Sequence, residues 1–170
     1  MGKKVILYIA VSLDGFIARK DGSVDWLDKF NNTDEDFGYN DFYNSIGTVI
    51  LGRTTFDQFP DAYNDKDCFV FSRKKTGKKG NAIYVSGDPE EFLKSLNTKD
   101  DGDIWLVGGA NLTNQFLQHD LIDEFIITII PTILGDGIRL FSEETKELQL
   151  IVKDTKSFDS GVVQIHYKRV

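Results

Sequence analysis

The chain has 170 residues, 41% apolar and 28% charged, with a formal net charge of −7; this predicts one globular domain over residues 1–170 and argues against a nucleic-acid partner. One cysteine and two histidines exclude an intramolecular disulfide and predict that the protein has no metal site. No apolar run reaches the roughly 18 residues of a membrane span, and no signal-peptide cleavage site follows the first run, so we expect no membrane partner and a cytoplasmic protein.

Six short apolar runs, rich in β-branched and aromatic residues, predict buried strands. Most of them have apolar residues at consecutive positions, which is typical of central parallel strands that are buried on both faces. Helical patterns alternate with the runs, so we expect an α/β sheet covered by helices on both faces. The six runs are residues 5–11, 48–51, 68–71, 82–85, 104–107 and 125–130.

Three segments between the strands carry helix signals. Residues 33–36 have the spacing of a capping box, followed by apolar residues at helical spacing. Asp88 precedes a proline and two glutamates, which together predict a helix start. Residues 110–119 also have helical periodicity, whereas residues 149–155 and 161–169 predict a C-terminal antiparallel hairpin.

A pair of glycines follows the fifth strand run. Gly108 and Gly109 allow a ligand to approach the backbone, and a helix that begins at Ala110 offers free N–H groups and the positive end of its dipole. Ligands of open α/β sheets usually bind at the carboxyl ends of the strands. We therefore interpret this turn as a phosphate site; a tight turn without a ligand is the alternative.

Two other strand ends have similar chemistry. The second run is followed by Gly52, Arg53 and two threonines, whose guanidinium, hydroxyl and N–H groups suit phosphate. The third run is followed by Ser72, Arg73 and two lysines, and a cationic strand end of this kind suits the ribose 2′-phosphate of NADP. A capped turn and a solvated basic loop are the respective alternatives.

Five motifs, taken in order, resemble one family. They are Ser-Leu-Asp-Gly at 12–15, Gly-Ser-Val-Asp-Trp at 22–26, Leu-Gly-Arg-Thr-Thr-Phe at 51–56, Leu-Val-Gly-Gly-Ala-Asn-Leu at 106–112 and Pro-Thr-Ile-Leu-Gly-Asp-Gly at 131–137. The set is similar to the dihydrofolate reductase-like fold, and more closely to its branch with the reductase domain of bacterial riboflavin biosynthesis, the RibD C-terminal domain. This resemblance implies a three-layer α/β fold with a mostly parallel central sheet and a C-terminal antiparallel hairpin.

The resemblance also implies an NADPH-dependent reductase. Its substrate would be a pteridine- or ribosylaminopyrimidine-like small molecule that accepts hydride from the nicotinamide. In these reductases a cis peptide bond typically joins the two glycines. The cofactor residues that the resemblance implies are Gly52, Arg53, Thr54, Thr55, Ser72, Arg73, Val107, Gly108, Gly109, Ala110, Asn111 and Leu112.

Further residues are carried over to the substrate side of the site. Asp14, Trp26 and Phe56 are expected to line the substrate cleft, although Asp14 also suits a turn and Trp26 also suits the core. Asp36 lies near the position of the catalytic carboxylate in dihydrofolate reductases, but the capping box gives it a structural alternative.

One position departs from the riboflavin-pathway pattern. Those reductases usually carry glutamate immediately before the glycine pair, whereas this chain has Val107. The difference motivates a second hypothesis, in which the chain is a non-catalytic NADP-binding module or sensor. Edge strands in an acidic domain also make a homodimer a further expectation.

Overall fold

The computed structural model of the protein describes residues 2–96 and 102–170. Its sheets are built from eleven strands. They are β1 (Val5–Ser12), β2 (Phe16–Ala18), β3 (Ile46–Gly52), β4 (Asp67–Phe71), β5 (Lys78–Lys79), β6 (Ala82–Val85), β7 (Asp103–Gly108), β8 (Glu124–Ile130), β9 (Ile138–Arg139), β10 (Leu150–Ser157) and β11 (Val163–Arg169).

Nine strands form one twisted sheet in the order β10-β11-β8-β1-β7-β3-β4-β6-β5, and β2 pairs with β9 separately. The central neighbours β8, β1, β7, β3, β4 and β6 run parallel, with Val5 opposite Ile104 and Leu51 opposite Val70. The antiparallel hairpin of β10 and β11 adds to β8. This confirms the mostly parallel sheet and the C-terminal hairpin.

Five short α-helices pack against the sheet within residues 2–96 and 102–170. They are α1 (Asp28–Asn31), α2 (Tyr39–Ser45), α3 (Arg53–Gln58), α4 (Pro89–Ser95) and α5 (Ala110–Gln118). Phe116 of α5 packs with Leu7 and Leu106 on one face of the sheet, whereas Phe42 of α2 and Phe56 of α3 pack on the other. The consecutive apolar residues of the strands are thus buried on both faces, as predicted. No helix within the described ranges is long and apolar enough to cross a bilayer.

The predicted start of α4 is confirmed, and that of α2 is wrong. Asp88 Oδ1 accepts hydrogen bonds from the N–H groups of Glu90 at 2.9 Å and Glu91 at 3.0 Å, so it caps α4. Residues 33–36 do not form a capping box, because α2 begins only at Tyr39, after Gly38 in the left-handed region with φ 77°. The glycine reverses the chain here and separates the acidic segment from the helix.

A buried carboxylate ties the N-terminus to the hairpin. Glu124 of β8 has a side chain that is 8% exposed, and it accepts hydrogen bonds from Lys4 Nζ at 2.8 Å, Lys153 Nζ at 3.0 Å and His166 Nε2 at 2.6 Å. Burial raises the pKa of this carboxyl, but the hydrogen bonds from Lys4, Lys153 and His166 outweigh it and lower the pKa to about 2.

Glu124→Gln is therefore expected to lower the free energy of unfolding by about 2 kcal/mol at neutral pH, because charge-assisted hydrogen bonds are lost. The folded-state pKa of about 2 lies below the ordinary 4.5, so this stabilisation is complete above the ordinary value and disappears as the pH falls towards 2. Urea unfolding of both proteins at pH values across this range measures the difference. The exposed Glu143→Gln is the control, and equal effects of the two substitutions would contradict the account.

Candidate active site

A cleft of about 1190 Å³ opens at the carboxyl ends of β3, β4 and β7 and extends along β1. Its walls come from the sheet, from β2, and from the first turns of α3 and α5. Pockets for one small ligand typically measure roughly 300–1,000 Å³. The cleft is therefore larger than a typical pocket for one small ligand.

The structure brings the predicted cofactor residues together around this cleft. All of them except Gly108, which is buried beneath the turn, contribute to its lining. The lining residues from the prediction are Gly52, Arg53, Thr54, Thr55, Ser72, Arg73, Val107, Gly109, Ala110, Asn111 and Leu112.

The glycine pair forms an open backbone cradle at the start of α5. The peptide bond between Gly108 and Gly109 is cis, as the resemblance implied, and Gly108 has φ 114°. The first N–H groups of an α-helix have no partner within the helix, and no side chain caps those of α5. A Cβ atom on Gly109 would lie 3.6 Å from Thr55 Oγ1, which is ordinary contact. The fold itself therefore leaves the space above Gly109 free.

The charged lining of the cleft is entirely cationic within the described ranges. Arg53, Arg73 and Lys74 line it, and no aspartate or glutamate does. Arg53 Nε lies 3.8 Å from Asp57 Oδ2, in a pair whose side chains are each 41% exposed. In a chain with a net charge of −7, this concentration of positive charge favours an anionic ligand.

Ser72 shapes the basic loop that follows β4. Its Oγ accepts hydrogen bonds from the backbone N–H groups of Lys74 at 3.2 Å and Lys75 at 3.0 Å, so the hydroxyl proton remains available for donation. The turn keeps Arg73 and Lys74 at the rim of the cleft. The end of β4 is therefore followed by one hydroxyl donor and two cationic side chains.

Asp14 has a structural position rather than the expected one in the cleft. It does not line the cleft; its carboxylate accepts hydrogen bonds from the Ser12 hydroxyl at 2.6 Å and from the N–H groups of Leu134 at 3.1 Å and Gly135 at 2.8 Å. The hydrogen bond from Ser12 and those from the loop lower the pKa of Asp14 to about 2. Asp14 therefore ties the end of β1 to the loop that follows β8.

The two aromatic substrate candidates belong to the core. Trp26 is 8% exposed and packs with Phe30, Ile130 and Val162, and Phe56 is 2% exposed. Neither lines the cleft. Trp26 thus has the core position that was its alternative, and Phe56 points inward because α3 buries it against the sheet.

Asp36 also lies outside the lining of the cleft. Its carboxylate accepts hydrogen bonds from the N–H groups of Gly38 at 2.9 Å and Asn40 at 3.3 Å, which lower its pKa. Its proton affinity is therefore reduced, and its position holds the left-handed turn before α2. The candidate acid therefore has a structural contact in the turn before α2, although not the capping box that the spacing predicted.

If the chain catalyses the NADPH-dependent reduction that the resemblance implies, Asp36→Asn is expected to leave the rate of hydride transfer, and its dependence on pH, unchanged. A single-turnover measurement with bound NADPH and pterin as acceptor isolates the chemical step from product release. Asp34→Asn, an exposed neighbouring change, is the control. A selective loss of roughly 100-fold in Asp36→Asn would restore its role as an acid.

Sequence reasoning missed the residues that line the cleft along β1 and β2. Tyr8 and Ile17 line it, together with Leu27 from the turn before α1. Trp105 also contributes, and its Nε1 donates to the Tyr8 carbonyl at 3.0 Å. No short motif joins these residues; only the parallel pairing of β1 with β7 brings Tyr8 beside Trp105.

One group of side chains outside the cleft has potential metal ligands. Ligand atoms of Asp88, Glu90 and His119 lie within 4.8 Å of one another. All three residues are exposed, and Asp88 already caps α4. None of the three residues lines the cleft, and we assign no function to the group.

The RibD C-terminal domain family matches residues 3–164 of the chain. The chain belongs to this family. It is 46% identical, over 99% of both chains, to the uncharacterised protein YwjB of Bacillus subtilis. A crystal structure from Shewanella sp. PV-4, of a protein named for riboflavin biosynthesis, has 31% identity, covers 98% of this chain and 99% of that one, and superimposes with a TM-score of 0.88.

A more distant structure supports the fold alone. The diaminohydroxyphosphoribosylaminopyrimidine deaminase/5-amino-6-(5-phosphoribosylamino)uracil reductase of Thermotoga maritima is 18% identical, with a TM-score of 0.78 over 99% of this chain and 57% of that one. Together these similarities confirm the dihydrofolate reductase-like fold of the RibD C-terminal branch. The chain therefore has a reductase-like fold and is similar to stand-alone relatives of its own length.

Proposed function

We propose that the protein is an NADPH-dependent reductase that acts on a small planar heterocycle of the pteridine or pyrimidine type. The observation that carries the proposal is the convergence of three parallel strand ends on one cleft whose described charged lining is Arg53, Arg73 and Lys74. Family membership supports oxidoreductase chemistry in this cleft.

Two of the glycines that line the cleft, Gly52 and Gly109, fit a dinucleotide. A Cβ on Gly52 would lie 3.8 Å from the Gly108 carbonyl oxygen, and one on Gly109 would lie 3.6 Å from Thr55 Oγ1. Both residues have φ −77°, which any residue adopts. Neither glycine is required by the backbone conformation or by internal packing, so close approach of a ligand explains their presence.

Different residues of the chain would bind different parts of the cofactor. The N–H groups at the start of α5, from Ala110 onward, would hold the pyrophosphate, and Ser72 with Arg73 would hold the 2′-phosphate. When bound, NADPH supplies hydride from C4 of its nicotinamide. Val107, beside the glycine pair, would exclude water from that ring and hold the acceptor at contact distance.

Two measurements test this function. Trp105 lines the cleft, so NADPH is expected to quench tryptophan fluorescence saturably. With NADPH deuterated at C4 and pterin as acceptor, deuterium is expected on a carbon of the reduced product. Binding without any transfer of deuterium, to pterin or to a wider panel of heterocycles, would contradict the proposed reductase.

A second candidate function is a non-catalytic NADP-binding module or sensor. It is favoured by the absence of aspartate, glutamate and histidine from the lining within residues 2–96 and 102–170. Such a module would show the same fluorescence quenching, whereas only an enzyme would move deuterium from the cofactor to a product. The isotope experiment therefore separates the two candidates.

A further inference from the structure

The lining of the cleft divides into two halves that follow the strand order of the sheet. Arg53, Arg73 and Lys74 lie in the half next to the ends of β3 and β4. The opposite half is formed by β1, β2, the turn before α1, and β7. We call it the apolar half, and its principal side chains are Tyr8, Ile9, Ile17, Val24, Leu27 and Val107.

The apolar half contains no charged side chain among the residues that the structure describes. The polar residues in it or bordering it are neutral: Tyr8 of β1, and Asn31, Gln58 and Tyr63 from the adjoining lining. Burial raises the pKa of both tyrosines, so both remain protonated. The Tyr8 hydroxyl oxygen lies 3.4 Å from Gln164 Nε2, which donates to it and leaves the tyrosine proton free to be donated.

A further cation lines an adjoining cavity of about 630 Å³ that shares Ile138 with the cleft. That cavity is lined by Arg139 and Glu144, so its two charges are of opposite sign. The Arg139 guanidinium also lies 4.9 Å from the centroid of the Phe16 ring. An anionic group in the apolar half would therefore lose hydration, and Arg139 would not compensate fully because Glu144 lines the same cavity.

We propose that the substrate is an uncharged planar heterocycle with a reducible C=N bond, and that it carries neither phosphate nor carboxylate. This inference rests on the proposed reductase function and names its substrate class. Aromatic and branched side chains surround the ring, and neutral amide and hydroxyl groups fix its orientation. The phosphoribosyl group in the name of the Thermotoga enzyme's substrate would be excluded from the apolar half.

The reaction balances without an acid from the protein. Hydride leaves C4 of NADPH and forms a C–H bond at the carbon of the C=N bond, while the π electron pair moves to the nitrogen. The nitrogen then takes a proton from water. NADPH is oxidised to NADP⁺ and the heterocycle is reduced by two electrons, so no other reactant is needed.

A matched pair of ligands tests the inference by binding alone. Pterin is uncharged at neutral pH, and pterin carboxylate has the same ring with one added negative charge. We expect calorimetry on the protein saturated with NADP⁺ to show pterin binding at least about tenfold more tightly than the carboxylate. Equal or tighter binding of the carboxylate, or failure of both rings to bind, would overturn the inference.

A charge inserted into the apolar half provides a second test. Val24 is half-buried and belongs to none of the hydrophobic core clusters, so substitution there spares the core. Val24→Lys is expected to remove most of the preference for pterin, whereas Val24→Met, of similar length, is expected to retain it. If Val24→Lys binds the carboxylate no better than Val24→Met does, the proposed charge selection is wrong.

Failure of the inference and failure of the proposed function give different results. Without cofactor, Arg73 and Lys74 are open to the carboxylate, so the same titrations are made on the Arg73→Ala and Lys74→Ala proteins, where pterin is still expected to bind more tightly than its carboxylate. If NADP⁺ does not bind, the proposed function fails while the selectivity between the rings persists. If carboxylate binding proves tight and is lost in Arg139→Ala, the adjoining cavity recognises anions and the inference fails.

Discussion

Gly109→Val is expected to weaken NADPH binding by roughly 100-fold or more, because its methyl groups would occupy the space where a pyrophosphate approaches the backbone. The Cβ position itself is clear, since it lies 3.6 Å from Thr55 Oγ1 and the residue has φ −77°. The measurement is a fluorescence titration with NADPH, accompanied by circular dichroism and thermal unfolding.

The same substitution at Gly2, where a Cβ would meet nothing within 4 Å, is the control and should leave binding unchanged. Gly52→Ala provides a milder change at the end of the neighbouring strand β3, with 3.8 Å from its Cβ to the Gly108 carbonyl oxygen. A folded Gly109→Val protein that binds NADPH with the original affinity would show that the phosphate site lies elsewhere.

Arg73→Ala is expected to weaken NADPH binding by roughly tenfold while NADH binding stays nearly constant, because only NADPH carries the 2′-phosphate. One charge-assisted hydrogen bond at an exposed site contributes about 1.5 kcal/mol, which corresponds to that factor. Competition titrations with both cofactors, at one fixed salt concentration, give the selectivity ratio.

Lys75→Ala is the matched control in the same loop. Lys75 lies outside the lining of the cleft, and its Nζ is 4.0 Å from Asp57 Oδ1. It should leave the preference for NADPH intact. Equal losses of NADPH and NADH affinity in Arg73→Ala would assign Arg73 to a part of the cofactor that both molecules share.

Much of the fold could be predicted because its signals are local. Consecutive apolar residues marked the central strands within a residue or two, and the Asp88 cap marked the start of α4. The two-residue strands β5 and β9 have too few residues for a period. The start of α2 was misplaced because the left-handed conformation of Gly38 depends on how the preceding segment packs.

The two halves of the cleft also differ in how far their residues could be predicted from the sequence. The half that contains Arg53, Arg73 and Lys74 was predictable because each candidate phosphate-binding group directly follows a strand, as Arg53 follows β3 and Ser72 follows β4. The apolar half joins Tyr8 to Leu27 and Val107, which are far apart in sequence and look like ordinary core residues. For the same reason, Trp26 could not be distinguished from a cleft residue before its burial was known. The homodimer stays a prediction.

A crystal structure of the protein with NADP⁺ tests the central claim most directly. The account predicts the 2′-phosphate beside Ser72 and Arg73, the pyrophosphate against Gly109 and Ala110, and the nicotinamide beside Val107 at the boundary with the apolar half. Well-ordered cofactor bound outside this cleft, or with its nicotinamide on the Arg73 side, would contradict the account.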